Sequence, residues 1–365
     1  MIEFIIKTFF SIFFLIKNII NKLSRMNINK QNGLNKNGEY DNNNKDINPF
    51  VNDLYDRLTL SQKIQIGLMS VTIAPIRAVL VGVSLLLLWP VGYLTVRGVD
   101  VGKEPIDGWR KIMLYPIARF LSRCVFFWGS FQWLTIVGKP DMNVPIMVLA
   151  PHSSFFDVML AVYLNFVCVV GKMGADKVVL FGNLTKMCQP IIVEREKQSS
   201  RTDTVKKILD RMNSDKKWPP LSLFSEGTCT NRRALIQFKS GAFIPGLPVQ
   251  PVCLRFPATM DTYSWTWQGP HPYALLWLSF CQFHSPLEFH FLPVYHPNET
   301  EKSNPELYAE NVRKLMADYL NVPCSDYSFE DGRLIHKVQE FNLPWTTGLI
   351  KVQNLRNKLG YLLVY

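Results

Sequence analysis

The stretch "PHSSFFD", residues 151–157, places a histidine and a carboxylate five positions apart in otherwise apolar sequence. His152 follows a β-rich run, and Asp157 lies where a helix is predicted. Positions i and i+5 of an α-helix point about 140° apart, so the two side chains meet only if His152 precedes the helix and folds back. Ser153 or Ser154 would then serve as the N-cap.

A histidine held in this way can act as a general base. Asp157 would accept a hydrogen bond from one imidazole nitrogen and fix the tautomer, which leaves the other nitrogen to take a proton. The spacing also fits a helix-capping cluster without catalytic function. On spacing alone, both interpretations stay open.

A second candidate is "FSEGTCTNRR", residues 224–233, in which a β-rich run leads into Glu226 and Gly227. Glycine lets a backbone approach a ligand closely, and the N–H groups of such a turn suit an anion. Arg232 and Arg233 would add fixed positive charge. The alternative is an ordinary turn with solvated arginines.

Two further runs carry weaker signals. "IIVEREKQSSR" ends a β-rich run in Arg195, which is compatible with phosphate binding at a sheet edge. "LPVQPVCLRF", residues 247–256, sets prolines in an apolar context that suits a rigid wall beside an apolar ligand.

The elements that must position these residues alternate between strand and helix. Strands are predicted at 144–150, 189–195, 221–227 and 247–256, and helices at 201–217 and 304–322. This alternation predicts an α/β fold in which a mixed β-sheet is flanked by helices.

The first part of the chain has a different character. The predicted segments are an apolar anchor or interfacial helix at 1–23, a flexible Asn-rich linker at 24–62, and membrane-associated helices at 63–137. They precede a catalytic domain at 138–334 and a tail at 335–365. Residues 78–96 form a run of nineteen without charge, long enough for a span, although Pro90 makes a re-entrant hairpin an alternative. The run from Lys111 to Val137 is predicted as an interfacial helix, with a buried amphipathic core helix as the alternative.

The composition favours a lipid surface as partner. The net charge is +11 and 48 % of the residues are hydrophobic. Excess positive charge favours an anionic partner, and the long apolar segments indicate phospholipid rather than nucleic acid, for which no binding signature is present. The seven cysteines lack C-x-x-C spacing, so neither a disulfide framework nor a zinc site is predicted.

Taken together and in this order, the four motifs resemble those of the glycerolipid acyltransferase family, which includes 1-acylglycerol-3-phosphate O-acyltransferases. His152 and Asp157 match its H-x4-D motif, Arg195 its second motif, "FSEGT" its F-P-E-G-T motif and "LPVQPV" its fourth. The likeness is greatest to lysophosphatidylcholine acyltransferases, judged from "EGTCTNR" and "SGAFIPGLPVQPV". It covers roughly residues 65 to 334.

The resemblance implies an acyl-CoA-dependent enzyme that acylates a lysophospholipid, most simply lysophosphatidylcholine. His152 and Asp157 would be catalytic, whereas Arg195, Glu226, Gly227 and Thr228 would bind the glycerophospholipid. The expected co-substrate is acyl-CoA, with no bound cofactor and no metal. The expected location is a membrane, that of the endoplasmic reticulum.

Two departures from the family pattern bear on specificity. Ser225 replaces the usual proline, and Cys229 stands where phosphatidate-making members commonly carry arginine. A phosphodiester carries one negative charge and a phosphomonoester approaches two, so the loss of that arginine fits an acceptor whose phosphate already bears a headgroup. Cys229 as a covalent acyl carrier is a lesser alternative, because a thioester is already activated for direct attack.

Other functions remain compatible with the motifs. The acceptor could be another lysophospholipid, such as lysophosphatidylethanolamine or lysophosphatidate, or lyso-platelet-activating factor with acetyl-CoA as donor. From a different class, a non-catalytic membrane lipid-binding protein would need only basic charge and amphipathic helices.

Overall fold

The computed structural model describes residues 48–172, 174, 181–193 and 199–340. The predicted anchor at 1–23, most of the predicted linker, Arg195 and residues 341–365 lie outside this described part.

Within the described residues, seven strands form a central mixed sheet, as predicted. The strands are β1 (Leu134–Val137), β2 (Ile146–Ala150), β3 (Cys168–Lys172), β4 (Ile191–Val193), β5 (Leu221–Phe224), β6 (Val249–Arg255) and β7 (Leu287–Phe291). Their order is β1-β7-β6-β2-β5-β3-β4. The pair β6 and β7 is antiparallel, and the other neighbouring pairs are parallel.

Helices connect and cover the strands. They are α1 (Leu54–Arg57), α2 (Leu60–Val71), α3 (Ile73–Val96), α4 (Tyr115–Trp128), α5 (Met159–Tyr163), α6 (Gly182–Met187), α7 (Ser199–Met212), α8 (Pro272–Phe280), α9 (Glu299–Ser303), α10 (Pro305–Leu320) and α11 (Phe329–Glu340). The predicted strands at 144–150, 189–195, 221–227 and 247–256 correspond to β2, β4, β5 and β6. The predicted helices at 201–217 and 304–322 correspond to α7 and α10.

Both faces of the central strand β2 are buried, which explains its continuous apolar sequence. Met147 and Leu149 pack into a cluster with Phe131 and Phe289. Ile146, Val148 and Ala150 point to the opposite face, where they join residues of α10. The site at the end of β2 is therefore held by a strand fixed from both sides.

The apolar run at 78–96 lies within α3, which is continuous through Pro90. Among the described residues, α3 is the one helix long and apolar enough to cross a membrane. Several of its large side chains stay exposed, with Ile76 at 61 %, Leu87 at 55 % and Trp89 at 44 %. Its other side packs on α4 and α6, so the helix is attached to the rest of the chain.

The predicted interfacial helix at 111–137 needs correction. The helical part ends at Trp128, and a turn follows in which Ser130 has a φ of 81°. Leu134–Val137 then forms β1, which pairs in parallel with β7. Alternate residues of β1 are exposed, which is the two-residue period of an edge strand rather than the period of a helix.

The predicted linker also ends earlier than residue 62. Phe50 is fully buried, and Leu54 of α1 is 3 % exposed. Residues 60–62 already belong to α2, whose first turn is closed by a capping box between Thr59 and Gln62. The predicted tail begins inside α11, which runs to Glu340.

Candidate active site

Two motifs meet because β2 and β5 are parallel neighbours. Leu149 lies opposite Phe224 in the register, so both strands end at the same edge of the sheet. His152 follows β2 by two residues, and Glu226 follows β5 by two. Ligand sites of open α/β sheets form at such carboxyl edges.

His152 and Asp157 are in direct contact. His152 Nδ1 and Asp157 Oδ2 are 2.8 Å apart. His152 lies before the helical turn at Phe155–Val158, and the side chain of Ser154 caps that turn by accepting a bond from the N–H of Phe156. The predicted geometry, with the histidine outside the helix and turned back to the carboxylate, is confirmed.

Asp157 is held rigidly and is 1 % exposed. Besides the imidazole, its Oδ2 accepts the backbone N–H groups of Ser153 at 2.6 Å and Ser154 at 3.0 Å. The carboxylate therefore both caps the turn and orients the histidine. The helix-capping interpretation of this motif is therefore confirmed, and the capping carboxylate is also the group that contacts the imidazole.

The imidazole of His152 packs against an aromatic ring, and its protonation is affected by two neighbouring side chains. It stacks on Phe224, with ring centroids 4.1 Å apart and planes inclined by 19°. Burial disfavours the charged imidazolium, but Cys229 and Asp157 outweigh this effect and raise the pKa of His152 to about 10.

Glu226 is completely buried beneath the histidine. Its Oε2 accepts the backbone N–H of His152 at 2.6 Å, and its Oε1 accepts that of Ile236 at 3.4 Å. Burial raises the pKa of the carboxyl to about 7, although the His152 bond opposes the shift. Glu226 is predicted to bind substrate, and in the structure both oxygens of its carboxylate accept backbone N–H groups.

Gly227 and Thr228, the two residues after Glu226, determine the shape of the loop that follows β5. Gly227 has a φ of +70°, a left-handed conformation that glycine adopts without strain. A Cβ at this position would lie 2.9 Å from Cε of Lys239. Thr228 is 8 % exposed, and its hydroxyl accepts a bond of 3.0 Å from Trp267 Nε1. The predicted set of Glu226, Gly227 and Thr228 therefore lies together next to His152.

The two arginines of the motif form ion pairs, which corrects the expectation of an anion site. Arg232 Nη2 lies 2.8 Å from Asp261 Oδ1, and Arg233 Nη2 lies 2.6 Å from Asp53 Oδ1. These pairs tie the loop to two distant segments of the chain. Arg195, the remaining predicted cation, lies outside the described residues.

The proline-containing run forms a central strand rather than a wall of the site. Pro251 lies within β6, opposite Val148 of β2. Sequence reasoning also missed Phe224 as the stacking partner of His152 and Trp267 as the partner of Thr228. Neither contact has a local sequence signal: the pairing of β2 with β5 brings Phe224 to His152, and Trp267 lies 39 residues from Thr228.

Comparison with known proteins agrees with these motifs. Residues 135–255 match the family model Acyltransferase. The chain is 42 % identical over 316 residues to lysophosphatidylcholine acyltransferase 1 of Danio rerio, covering 86 % of this chain and 60 % of that protein. It is 42 % identical to lysophosphatidylcholine acyltransferase 1 of Homo sapiens (86 % and 59 %) and 40 % identical to lysophosphatidylcholine acyltransferase of Drosophila melanogaster (86 % and 60 %).

Among solved structures, the 1-acyl-sn-glycerophosphate acyltransferase of Thermotoga maritima matches with a TM-score of 0.41 and 17 % identity, covering 68 % of this chain and 98 % of that one. Residues 135–255 are an acyltransferase domain. The resemblance of the chain to lysophosphatidylcholine acyltransferases is confirmed. The chain spans about 60 % of the length of those relatives.

Proposed function

We propose that this chain transfers an acyl group from acyl-CoA to the free hydroxyl of a lysophospholipid, with lysophosphatidylcholine as the acceptor. The observation that carries the proposal is the contact of 2.8 Å between His152 Nδ1 and Asp157 Oδ2 at the carboxyl edge of the sheet. The names of the relatives support the class of acceptor.

In the proposed reaction, His152 Nε2 takes the hydroxyl proton while the hydroxyl oxygen attacks the thioester carbonyl. The tetrahedral intermediate collapses, the C–S bond breaks, and the imidazolium returns the proton to the departing CoA thiolate. Asp157 stabilises the imidazolium and holds the tautomer in which Nε2 is free to accept a proton. No covalent acyl-enzyme is needed.

Glu226 and Thr228 act in this scheme as positioning residues. Glu226 fixes the backbone of His152 from below, and Trp267 holds Thr228. Gly227 lets the chain turn between them. Arg195 is proposed to bind the acceptor phosphate. Cys229, which affects the protonation of the imidazole, supplies no positive charge to bind a phosphomonoester. Its presence therefore favours an acceptor whose phosphate already bears a headgroup.

The proposed setting is the membrane of the endoplasmic reticulum. The exposed apolar side chains of α3 support membrane contact, because contiguous apolar surface of this kind is costly in water. An acceptor and a donor with long acyl chains would then reach the sheet edge from the lipid.

A matrix of donors and acceptors tests the function. Purified protein in mixed micelles is assayed with palmitoyl-CoA or acetyl-CoA against lysophosphatidylcholine, lysophosphatidylethanolamine, lysophosphatidate and lyso-platelet-activating factor. We expect the highest kcat/KM for palmitoyl-CoA with lysophosphatidylcholine. Faster acylation of lysophosphatidate would contradict the acceptor, and no transfer to any acceptor would leave a lipid-binding protein.

A further inference from the structure

An exposed tryptophan lies beside the candidate catalytic loop. The indole of Trp265 is 43 % exposed, although Ser264 before it and Thr266 after it are buried. An apolar ring of this size is usually buried, so a position that holds it in the open between two buried neighbours suggests a binding function.

The segment that carries Trp265 is firmly anchored. The backbone N–H of Trp265 donates to the carbonyl of Ser153, the residue after His152, at 2.8 Å. Asn52 donates to the carbonyl of Ser264 at 2.8 Å, and the Ser264 hydroxyl donates to Asp261 at 2.7 Å. The main chain that carries the indole is therefore fixed relative to the candidate catalytic loop.

A second aromatic ring, that of Phe155, lies next to Trp265, and the two rings together are called the aromatic corner below. The Phe155 ring, three residues after His152, faces Trp265 edge to face, with centroids 6.1 Å apart and planes inclined by 66°. Two rings inclined at such an angle can form two adjoining walls of a binding site. This arrangement matches the walls of sites that bind quaternary ammonium groups through cation–π attraction.

We propose that Trp265 and Phe155 bind the trimethylammonium group of a choline headgroup. The inference rests on the proposed function and adds the part of the site that selects the acceptor. In lysophosphatidylcholine the ammonium is separated from the reacting hydroxyl by two glycerol carbons, the phosphodiester and two methylene carbons. The cation must therefore lie to one side of His152, as this aromatic corner does.

The chemistry of the corner favours methylated over primary ammonium. Aromatic faces attract a cation but accept no strong hydrogen bonds, so a strongly hydrated primary ammonium gains less there than it loses. The one carboxylate in the segment 260–268 is Asp261, which is already bonded to Arg232 and Ser264. The corner thus offers π faces rather than a salt bridge.

The test separates charge from shape. Three acceptors are compared in mixed micelles: lysophosphatidylcholine, lysophosphatidylethanolamine, and an isostere in which 3,3-dimethylbutyl replaces choline and removes the charge. Wild-type protein should prefer choline over the isostere. In Trp265→Leu, kcat/KM for lysophosphatidylcholine should fall about tenfold, through KM, and the preference should disappear.

Two further variants control the result. Trp265→Phe keeps a weaker aromatic face and should lie between wild type and Trp265→Leu. Tyr273, an aromatic side chain that is 65 % exposed at the start of α8, provides the matched control. Tyr273→Leu should leave all three acceptors unchanged.

The outcomes distinguish this inference from the proposed function. If Trp265→Leu lowers kcat/KM equally for all three acceptors, or changes none, the choline site is refuted while the acyltransferase function stands. Equal use of choline and its uncharged isostere by the wild type would also refute it. If the wild type acylates no lysophospholipid, the proposed function itself fails.

Discussion

At the residue scale, the site is organised around one histidine, His152, whose side chain and backbone are each held by a carboxylate. The side chain of His152 is oriented by Asp157, and its backbone N–H is held by Glu226 at 2.6 Å. Two buried carboxylates thus fix ring and main chain independently. Such pre-organisation matters because small displacements of a base cost large factors in rate.

Sequence reasoning reached the first of these contacts but not the second. The mismatch between a five-residue spacing and helical geometry was enough to predict that His152 precedes the helix. The position of Glu226 depends on the parallel pairing of β2 and β5, which a local pattern does not encode. For the same reason the sequence did not indicate that Arg233 pairs with Asp53, 180 residues away.

The pH dependence of the reaction follows from the His152 environment. A general base must be neutral, and its neutral fraction grows as pH rises through its pKa, which here is raised to about 10. We therefore expect kcat/KM to increase between pH 7 and 9. Cys229→Ala removes one cause of the raised pKa and should shift this rise to lower pH.

The same variant separates base catalysis from an acyl-cysteine mechanism. Cys229→Ala should retain turnover if oxygen attacks the thioester directly. Loss of all activity, or a pH profile that does not move, would contradict this account of the imidazole. The assay is initial rate against pH, with hydrolysis of acyl-CoA subtracted at each value.

Glu226 should prove to be a positioning residue. In Glu226→Gln the amide offers one oxygen and one NH2 group to two N–H donors, so one bond is lost and the His152 backbone shifts. We expect kcat to fall about 10- to 100-fold, with little change in KM for the acceptor. A raised KM with unchanged kcat would instead assign Glu226 to substrate binding.

At the element scale, turns after parallel strands bring the motifs together. The turn after β5 depends on Gly227, whose left-handed conformation disfavours a side chain. Strand and helix types were predictable here because their apolar periods are regular. The helix predicted to Val137 was wrong beyond Trp128, since an aromatic-rich run has similar hydropathy in an interfacial helix and an edge strand.

A matched pair of glycines tests the importance of this turn. Gly227→Ala should lower the free energy of unfolding by about 1–2 kcal/mol, because alanine is strained at positive φ. At Gly241 an added Cβ meets no atom within 4 Å and no positive φ is present. Gly241→Ala should therefore change stability by less than about 0.5 kcal/mol. Equal effects in thermal unfolding would refute the special status of the Gly227 turn.

At the scale of the whole molecule, the sheet domain carries a largely exposed apolar helix. The order of seven strands and the antiparallel pairing of β6 with β7 could not be read from the sequence, because strand order depends on contacts between distant segments. The apolar run of α3 could be read from the sequence, and its exposed face is the surface that we propose to contact lipid.

Labelling in liposomes tests this membrane contact. Leu87 on α3 is 55 % exposed and Leu315 on α10 is 40 % exposed. Leu315→Cys should react quickly with a membrane-impermeant maleimide, whereas Leu87→Cys should be protected by lipid until detergent is added. Peptide mass spectrometry distinguishes these cysteines from the native ones. Equal labelling rates in intact liposomes would contradict membrane burial of α3.

The central claim is that His152 acts as the base that activates a lysophospholipid hydroxyl. It is tested most directly by assaying His152→Ala and the wild type with palmitoyl-CoA and lysophosphatidylcholine. Thermal unfolding and membrane association are measured for both proteins, to establish that the variant is folded and bound like the wild type. We expect the rate to fall by a factor on the order of 10³ or more. Near-normal transfer by the folded, membrane-associated variant would contradict the account.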